Sequence, residues 1–347
     1  MKTLDLNNGE IFNTDEQITE EALKETSCSI FPVGTVLVAM YGGFNQIGRT
    51  GLLKVPAAIN QALSGLVLDS KKVSPEFLIN YLNGNVKVWK KFAASSRKDP
   101  NITREDVCGF PVLIPPLPEQ KKIAQILSTW DKAITTTEQL LASSQQQKKA
   151  LMQQLLTGKQ RLLDQNGERF EGEWKFLTFD DSFKVANKKS AQVKSSDYLD
   201  SGSVPVVDQG KQLIAGYCDN DDCYTNVPVI VFGDHTRCLK WVDFEFCPGA
   251  DGTQVLNTKE FLDKKFGYYL LCHTDIPNLG YSRHMRELKE QDFKVPVDMA
   301  EQQKIAAVLS AADQEITTLQ QQLDHLKQEK KALMQQLLTG KRRVQIN

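Results

Sequence analysis

Four short segments collect polar and basic side chains that could engage the polar edges of another molecule. They are Asn45-Gln46-Ile47-Gly48-Arg49, Ser95-Ser96-Arg97-Lys98-Asp99-Pro100-Asn101, Gly233-Asp234-His235-Thr236-Arg237-Cys238-Leu239-Lys240 and Tyr281-Ser282-Arg283-His284-Met285-Arg286. An arginine fork spans the two major-groove acceptors of guanine, and an Asn or Gln amide does the same for adenine. Ser, Thr, His and Lys add contacts that position a backbone without specifying its sequence. The chemistry these types favour is hydrogen-bonded readout of nucleic acid. The candidates are Gln46, Arg49, Ser96, Arg97, Lys98 and Asn101 in the first half. In the second half they are His235, Thr236, Arg237, Lys240, Ser282, Arg283, His284 and Arg286. Each segment taken alone reads equally well as an ordinary solvated loop.

Bond-making chemistry has no comparable signature. The chain contains no GxxxxGK[ST] phosphate loop, no GxGxxG after a strand, no HExxH and no GxSxG elbow. Tyr41-Gly42-Gly43-Phe44-Asn45-Gln46-Ile47-Gly48 is glycine-rich, but its spacing fits neither phosphate motif. Asp251-Gly252-Thr253-Gln254 lacks a paired carboxylate, and a lone His235 beside Asp234 is more often structural than catalytic. Cys218, Cys223, Cys238 and Cys247 are irregularly spaced without a CxxC, unlike the usual zinc ligand sets. With seven cysteines in all, free thiols in a reducing compartment are expected. No catalytic residue and no metal ligand is assigned.

The net charge of −1 hides an asymmetry. Residues 1–42 hold two lysines against seven acids, whereas residues 43–110 hold ten Lys or Arg against five acids. A basic face confined to one domain would suit a phosphate backbone. No run of about 18 apolar residues exists, and the N-terminus lacks the apolar core of a signal peptide, so a cytoplasmic location is expected.

The elements that must position these loops emerge from an internal repeat. KKALMQQLLTGK occurs at 148–159 and again at 330–341. The same offset of 182 aligns Glu119-Gln120 with Glu301-Gln302, Lys122-Ile123-Ala124 with Lys304-Ile305-Ala306, and Asp131 with Asp313. Both copies read as helices, with Pro118 and Pro296 marking the start and Gly158 and Gly340 the end. The second carries a heptad seam of Ile305, Leu309, Ala312, Ile316, Leu319, Leu323, Leu326, Leu333 and Leu337. The first matches it with Ile123, Leu127, Trp130, Ile134, Leu141, Leu151 and Leu155, and places Thr137, Ser144 and Lys148 on the same seam. A helix of about 39 residues spans roughly 58 Å, too long for the core of a small domain. Two such helices in one chain pair most simply as an antiparallel coiled coil.

Each helix follows a mixed α/β segment. In the first half, Gly34–Met40 and Leu66–Leu68 read as strands, Ser74 caps a helix, and Phe110–Pro118 is an extended exit strand. In the second, Val227–Phe232 is a strand, Asn257–Leu271 a helix, and Phe293–Val297 the exit strand. About 55 residues between the first helix and Val227 have no counterpart of similar length before Gly34, so the first domain reads as N-terminally shortened. The expected organisation is a mixed α/β (α+β) chain. It has a first domain (1–117), a central helix (118–160), a second domain (161–297) and a C-terminal helix (298–347).

Ile114-Pro-Pro-Leu-Pro-Glu-Gln-Lys-Lys-Ile-Ala124, a long helix and then Leu155-Leu-Thr-Gly-Lys159 together resemble the conserved region of type I restriction-modification specificity (S) subunits. So do Val297-Asp-Met-Ala-Glu-Gln-Gln-Lys-Ile-Ala306 to Lys341, Gly172-Glu173-Trp174, Asn60-Gln61 and Pro100–Asp106. The resemblance covers nearly the whole chain. It implies a non-catalytic subunit with two target-recognition domains, each reading one half of a split site in double-stranded DNA. It further implies that the paired helices act as a ruler and dock two methyltransferase (M) subunits, with restriction and motor (R) subunits joining. S-adenosylmethionine, ATP and magnesium would then sit on those partners, and none on this chain. A structural coiled-coil adaptor without DNA specificity is the competing expectation. A self-sufficient nuclease or methyltransferase is disfavoured by the missing motifs.

Overall fold

The computed structural model describes residues 1–93, 100–280 and 282–346. The first globular part runs β1 (Glu10–Ile11), α1 (Glu20–Glu25), β2 (Ile30–Phe31), β3 (Val36–Ala39), β4 (Thr50–Leu53), β5 (Ala57–Ala58), β6 (Leu63–Leu66), α2 (Pro75–Gly84), α3 (Val86–Phe92) and α4 (Arg104–Cys108). The long helix α5 (Leu117–Leu155) follows. The second part runs β7 (Trp174–Thr178), α6 (Phe179–Ser182), β8 (Phe183–Val185), β9 (Val204–Val207), β10 (Gly216–Cys218), β11 (Val229–Gly233), β12 (Leu239–Val242), β13 (Cys247–Pro248), β14 (Thr253–Thr258), α7 (Lys264–His273), α8 (Met285–Lys289) and β15 (Asp292–Pro296). The second long helix, α9 (Met299–Leu337), closes the series.

Two compact units result. One holds Met1–Gln139 with Gln320–Asn347, and the other holds Leu140–Leu319. Each therefore combines a globular part with half of each long helix. In the first unit, β3 lies between β4 and β6, and β1 edges β4. In the second, β11 lies between β12 and β14, and β8 edges β14. The central strands Val36-Leu-Val-Ala and Val229-Ile-Val-Phe-Gly are buried along their whole length. That explains why they are uniformly apolar rather than alternating.

A helix then packs on each sheet. Ser74 caps α2 by accepting from the Phe77 amide, and Asp263 caps α7 by accepting from the Phe266 amide at 2.8 Å. Helix α2 buries Phe77, Leu78, Ile79, Tyr81 and Leu82, whereas α7 buries Phe266, Gly267, Tyr269, Leu270 and Leu271. The helix expected over Asn257–Leu271 is thus shorter. Residues up to Thr258 belong to β14, where Thr258 lies opposite Phe183 of β8, and the Asp263 cap delays the helix to Lys264. The strand expected at Leu66–Leu68 lies at Leu63–Leu66 instead, held by its register with β3.

The exit segments differ between units. Asp292–Pro296 forms a five-residue antiparallel ladder with β7. Residues 111–116 form no strand, because no strand among the described residues of the first unit lies beside them.

The long helices pair antiparallel. In the first unit Asp131 meets Lys330 and Glu138 meets Lys327, so rising numbers on α5 face falling numbers on α9. In the second unit, Ser144 donates to Glu315 at 3.1 Å and Lys148 pairs with Asp313. Asp131–Lys330 and Asp313–Lys148 are one interaction written twice at the 182-residue offset. Along the seam Ile123, Leu127, Leu141, Leu155, Ile305, Leu309, Leu323 and Leu337 are buried, as are the polar Thr137 and Ser144. Trp130, Ile134, Leu151, Ile316, Leu319, Leu326 and Leu333 are half-buried.

At their ends the helices serve the globular cores. Leu155 and Leu156 join one apolar cluster with Phe266, Leu270, Ile305 and Leu309. Leu337 and Leu338 join another with Phe77, Tyr81, Ile123 and Leu127. Met152, Leu156, Met334 and Leu338 lie beside the heptad seam, and their contact with the cores explains why the whole LMQQLL block is repeated.

The repeated Glu-Gln dipeptide is explained in the same way. Buried Gln302 accepts from the Asp263 amide at 2.7 Å and donates to the carbonyls of Phe261 (3.1 Å) and Pro296 (2.9 Å). Buried Gln120 accepts from the Ser74 amide at 2.9 Å and donates to the carbonyls of Lys72 (2.9 Å) and Pro115 (2.8 Å). Each glutamine ties a long helix to the capped start of the helix beside it. Buried Glu301 takes a bidentate pair from Arg161, with Nη2–Oε2 at 2.7 Å, and Glu119 takes the same from Arg343 at 2.6 Å. Both arginines lie two residues past the identical twelve, at the same offset. No helix among the described residues is long and apolar enough to cross a membrane.

Candidate nucleic-acid interface

The tight hairpin after β11 organises the second-unit candidates. Gly233 ends β11, where an added Cβ would lie 2.2 Å from Thr236 Oγ1 and 2.6 Å from the Gln209 carbonyl, so only glycine fits. Asp234 is buried and fastens three loops together. Its amide donates to Gly252 O at 2.7 Å, its carbonyl accepts from the His284 amide at 2.9 Å, and its Oδ1 accepts from the Met285 amide at 2.7 Å.

His284 is fully buried. Its Nε2 accepts from the Leu279 amide (3.3 Å), so its Nδ1–H donates to the Asp234 carbonyl (2.9 Å). That network fixes one neutral tautomer. His235 contacts the Ser282 carbonyl through Nδ1 at 3.2 Å, and its amide donates to Gln209 Oε1 at 3.1 Å. Thr236 donates to Gln209 O.

The structure therefore brings His235, Thr236, Arg237, Ser282, Arg283, His284 and Arg286 into one loop cluster, with Lys240 beneath it. Not all of them face outward. Lys240 is buried, donating to the Asp208 carbonyl at 2.7 Å beside the Asp208 carboxylate at 3.6 Å. Desolvation lowers its pKa against the opposing pull of Asp208. His284 is likewise committed internally, and Arg237 Nη1 donates to the Ile276 carbonyl at 2.7 Å from a backbone at φ 60°. These three shape the loops. Thr236, Arg283 and Arg286 are exposed, with Arg286 paired to Glu290 at 3.1 Å, and His235 and Ser282 are half-exposed.

Gln209 was not among the sequence candidates. It binds the hairpin through its side chain and its carbonyl, and an added Cβ at Gly252 (φ +64°) would sit 2.5 Å from Gln209 Oε1. The Val-Asp-Gln-Gly sequence leaving β9 was the available signal.

The first unit repeats this plan. The loop holding Gln46 and Arg49 connects β3 to β4, as the Gly233–Lys240 hairpin connects β11 to β12. Arg49 Nη1 donates to Gln46 Oε1 at 2.8 Å, and both side chains are half-buried. Gly48 (φ +78°) presses on Trp89, with an added Cβ 2.4 Å from the ring. Met40, the first residue past β3, accepts from the Ile102 amide at 3.0 Å. Asp234, the first past β11, accepts from the His284 amide. Ile102 precedes α4 as His284 precedes α8. Asn101 thus occupies the place of Arg283, and it is half-buried. Ser96, Arg97 and Lys98 lie outside the described residues.

Among the described residues no group of three His, Cys, Asp or Glu is arranged to hold a metal ion. Cys218 and Cys247 are buried thiols in the β10–β9–β13 sheet region, and burial pushes Cys247 up to about 12.

A duplicated sheet, the same loop pair at one end of each central strand, and two antiparallel helices define a two-module recognition scaffold. The family described as the type I restriction modification DNA specificity domain matches residues 2–143 and 171–328. The chain belongs to that family and is a specificity subunit, the component that recognises a bipartite DNA target. Among similar proteins, a putative type I restriction enzyme MjaX specificity subunit from Methanocaldococcus jannaschii is 27% identical, over 90% of this chain and 79% of its own length. The type I restriction enzyme EcoR124I/EcoR124II specificity subunit from Escherichia coli is 33% identical over 29% of this chain and 26% of its own. The solved S subunit of a type I restriction-modification system from M. genitalium shares the fold, with TM-score 0.63, 16% identity, and 90% and 84% of the two chains covered. A chain from a structure on assembly and conformational transition of the type I R-M system gives 0.57, 15% identity, and 97% and 90%.

Proposed function

We propose that each unit reads one half-site of duplex DNA with the loop after its central strand and the loop before its short helix. Arg49, Gln46 and Asn101 serve the first half-site. Arg283, Arg286, Thr236 and His235 serve the second. The observation that carries this reading is the repeated bond, Ile102 N to Met40 O and His284 N to Asp234 O, which fixes the same two loops together in both units. Side chains differ at those loops while the scaffold beneath is held. A shared frame with two different reading surfaces suits a split target.

In this proposal the paired helices set the half-site separation, a geometric quantity in any two-site reader. They also dock two methyltransferase subunits, which bring S-adenosylmethionine, and restriction-motor subunits, which bring ATP and magnesium, add cleavage. The assembly works in the cytoplasm, on the cell's own chromosome and on incoming DNA. The test is competition binding of the chain with its methyltransferase partner to duplexes of varied sequence. A strong preference for duplexes sharing a split motif is expected. Equal competition by all duplexes would refute the proposal and leave only an adaptor role.

A further inference from the structure

The long helices carry one polar side-chain cluster twice, and only the second unit fills it. There Tyr269 of α7 reaches α9. Its hydroxyl donates to Asp313 Oδ2 at 2.7 Å and lies 3.2 Å from Ser310 Oγ. Lys148 pairs with Asp313 Oδ1 and stands 5.7 Å from the centre of the Tyr269 ring. The ring is buried in the apolar cluster that includes Ala306. Ser310 and Asp313 are half-buried.

The first unit repeats the receiving groups without the phenol. At the 182-residue offset, Ser128, Asp131 and Lys330 repeat Ser310, Asp313 and Lys148. Lys330 pairs with Asp131 Oδ1 as Lys148 pairs with Asp313 Oδ1. Counting from the helix caps locates the counterpart of Tyr269. Gln120 binds the Ser74 amide as Gln302 binds the Asp263 amide, so Ser74 repeats Asp263 and Asn80 repeats Tyr269. Asn80 carries no ring, and its amide turns back to the Glu76 carbonyl at 2.7 Å. Ser128 and Asp131 are exposed.

A cleft of about 900 Å³ within the first unit stands in that place. Asn80, Ser128, Asp131 and Lys330 line it together. Leu52, Ile79 and Ala124 supply apolar wall, with Ala124 repeating Ala306. Small-molecule sites span roughly 300–1,000 Å³ and combine apolar walls with a few convergent polar groups. Among the described residues, Asp131 Oδ2 and the Ser128 hydroxyl have no protein partner. These are the two atoms that, in the second unit, the Tyr269 hydroxyl engages.

We propose that this cleft binds a small hydroxylated aromatic molecule. Its phenolic hydroxyl donates to Asp131 Oδ2 beside Ser128, its ring lies against Ile79 and Ala124, and the Lys330 ammonium faces the ring. A hydroxyl donating to a carboxylate makes a charge-assisted bond, stronger than a neutral one. A cation close to the ring face adds attraction. The cleft is larger than one ring and leaves room for substituents on it. The ligand's chemistry is set by the chain's own second unit, where the same groups hold a phenol. The inference is independent of DNA reading.

The probe is p-cresol, the tyrosine side chain as a free molecule, titrated into the full chain and followed by saturation-transfer NMR. Saturable binding is expected, with a dissociation constant on the order of 1 mM for so small a molecule. The ether oxygen of p-methylanisole has no hydrogen to donate. That molecule should bind at least about tenfold more weakly, the loss of one hydrogen bond to a charged group. N80Y places a phenol of the chain's own in the cleft and should abolish p-cresol binding. The change of ligand cannot disturb the chain's folding, so it decides even if N80Y is unstable. No saturable binding, equal binding of p-methylanisole, or undiminished binding of p-cresol to N80Y would each overturn the proposal.

Discussion

Replacing Gln302 with leucine should destabilise the second unit severely although it removes no apolar contact. The carboxamide has no exposed surface and makes three hydrogen bonds, to the Asp263 amide and to the Phe261 and Pro296 carbonyls. Leucine has nearly the same volume, so it leaves no room for water to replace those bonds. Three backbone groups then lose their partner, the Pro296 carbonyl buried and the Asp263 amide and Phe261 carbonyl part-buried, at about 1 kcal/mol each. The total is about 3 kcal/mol. For a unit of this size, a shift of about 2–4 °C accompanies each kcal/mol, so the unfolding midpoint should fall by about 6–12 °C. Calorimetry reads the shift. Hydrogen exchange assigns it to a unit, with the amides at the start of α7 exchanging faster and those of α2 unchanged. The same substitution at Gln120 should mirror the result in the first unit. A loss below about 1 kcal/mol, or one spread evenly over both units, would refute the claim that the repeated glutamine fastens each helix to its neighbouring core.

Further outcomes follow from the same geometry. R161A strands the buried Glu301 carboxylate and should cost about 3 kcal/mol, measurable by denaturant titration, with the loss largely relieved in R161A/E301Q. Arg343 holds the Glu119 carboxyl below the usual carboxylate range. A depressed folded-state pKa contributes stability above the ordinary carboxylate pKa, near about 4.3, and loses it as pH falls further. The wild-type first unit should therefore lose stability below about pH 5 faster than E119Q, the two converging in strong acid. R283A should weaken specific DNA binding by about 1–3 kcal/mol and relax preference in one half-site alone, as gel-shift competition would show. Because the helices pair antiparallel, removing residues 137–143 together with the facing 318–324 keeps the seam in phase. It should alter the spacer between half-sites and leave the half-sites unchanged in methylation mapping.

The long helices were legible because repetition, heptad spacing and glycine caps are local signals. Their partners were not. Nothing in Glu119 or Gln302 announces that one meets an arginine beyond the end of the other long helix and the other a helix cap, since both contacts are made in the fold. The region around Asn257 misled for a related reason. Asn-Thr-Lys-Glu-Phe-Leu reads as a capped helix start, yet ladder pairing with β8 holds Thr258 extended and Asp263 is the cap that forms. In the candidate interface, residue type picked out loops that the fold brings together but not the direction of each side chain. Lys240, Arg237 and His284 are turned inward by backbone carbonyls that no sequence pattern marks. Gln209 went unseen because it comes from a strand end far away in sequence.

The central claim is that two units on one scaffold each read half of a split site. Sequencing methylated adenines in DNA modified by this chain with its methyltransferase subunits tests it most directly, for the native chain and for one with residues 234–237 replaced. A bipartite motif with a fixed spacer is expected, in which the replacement changes or erases one half and preserves the other. Methylation at a single uninterrupted motif, or a replacement that alters both halves, would contradict it.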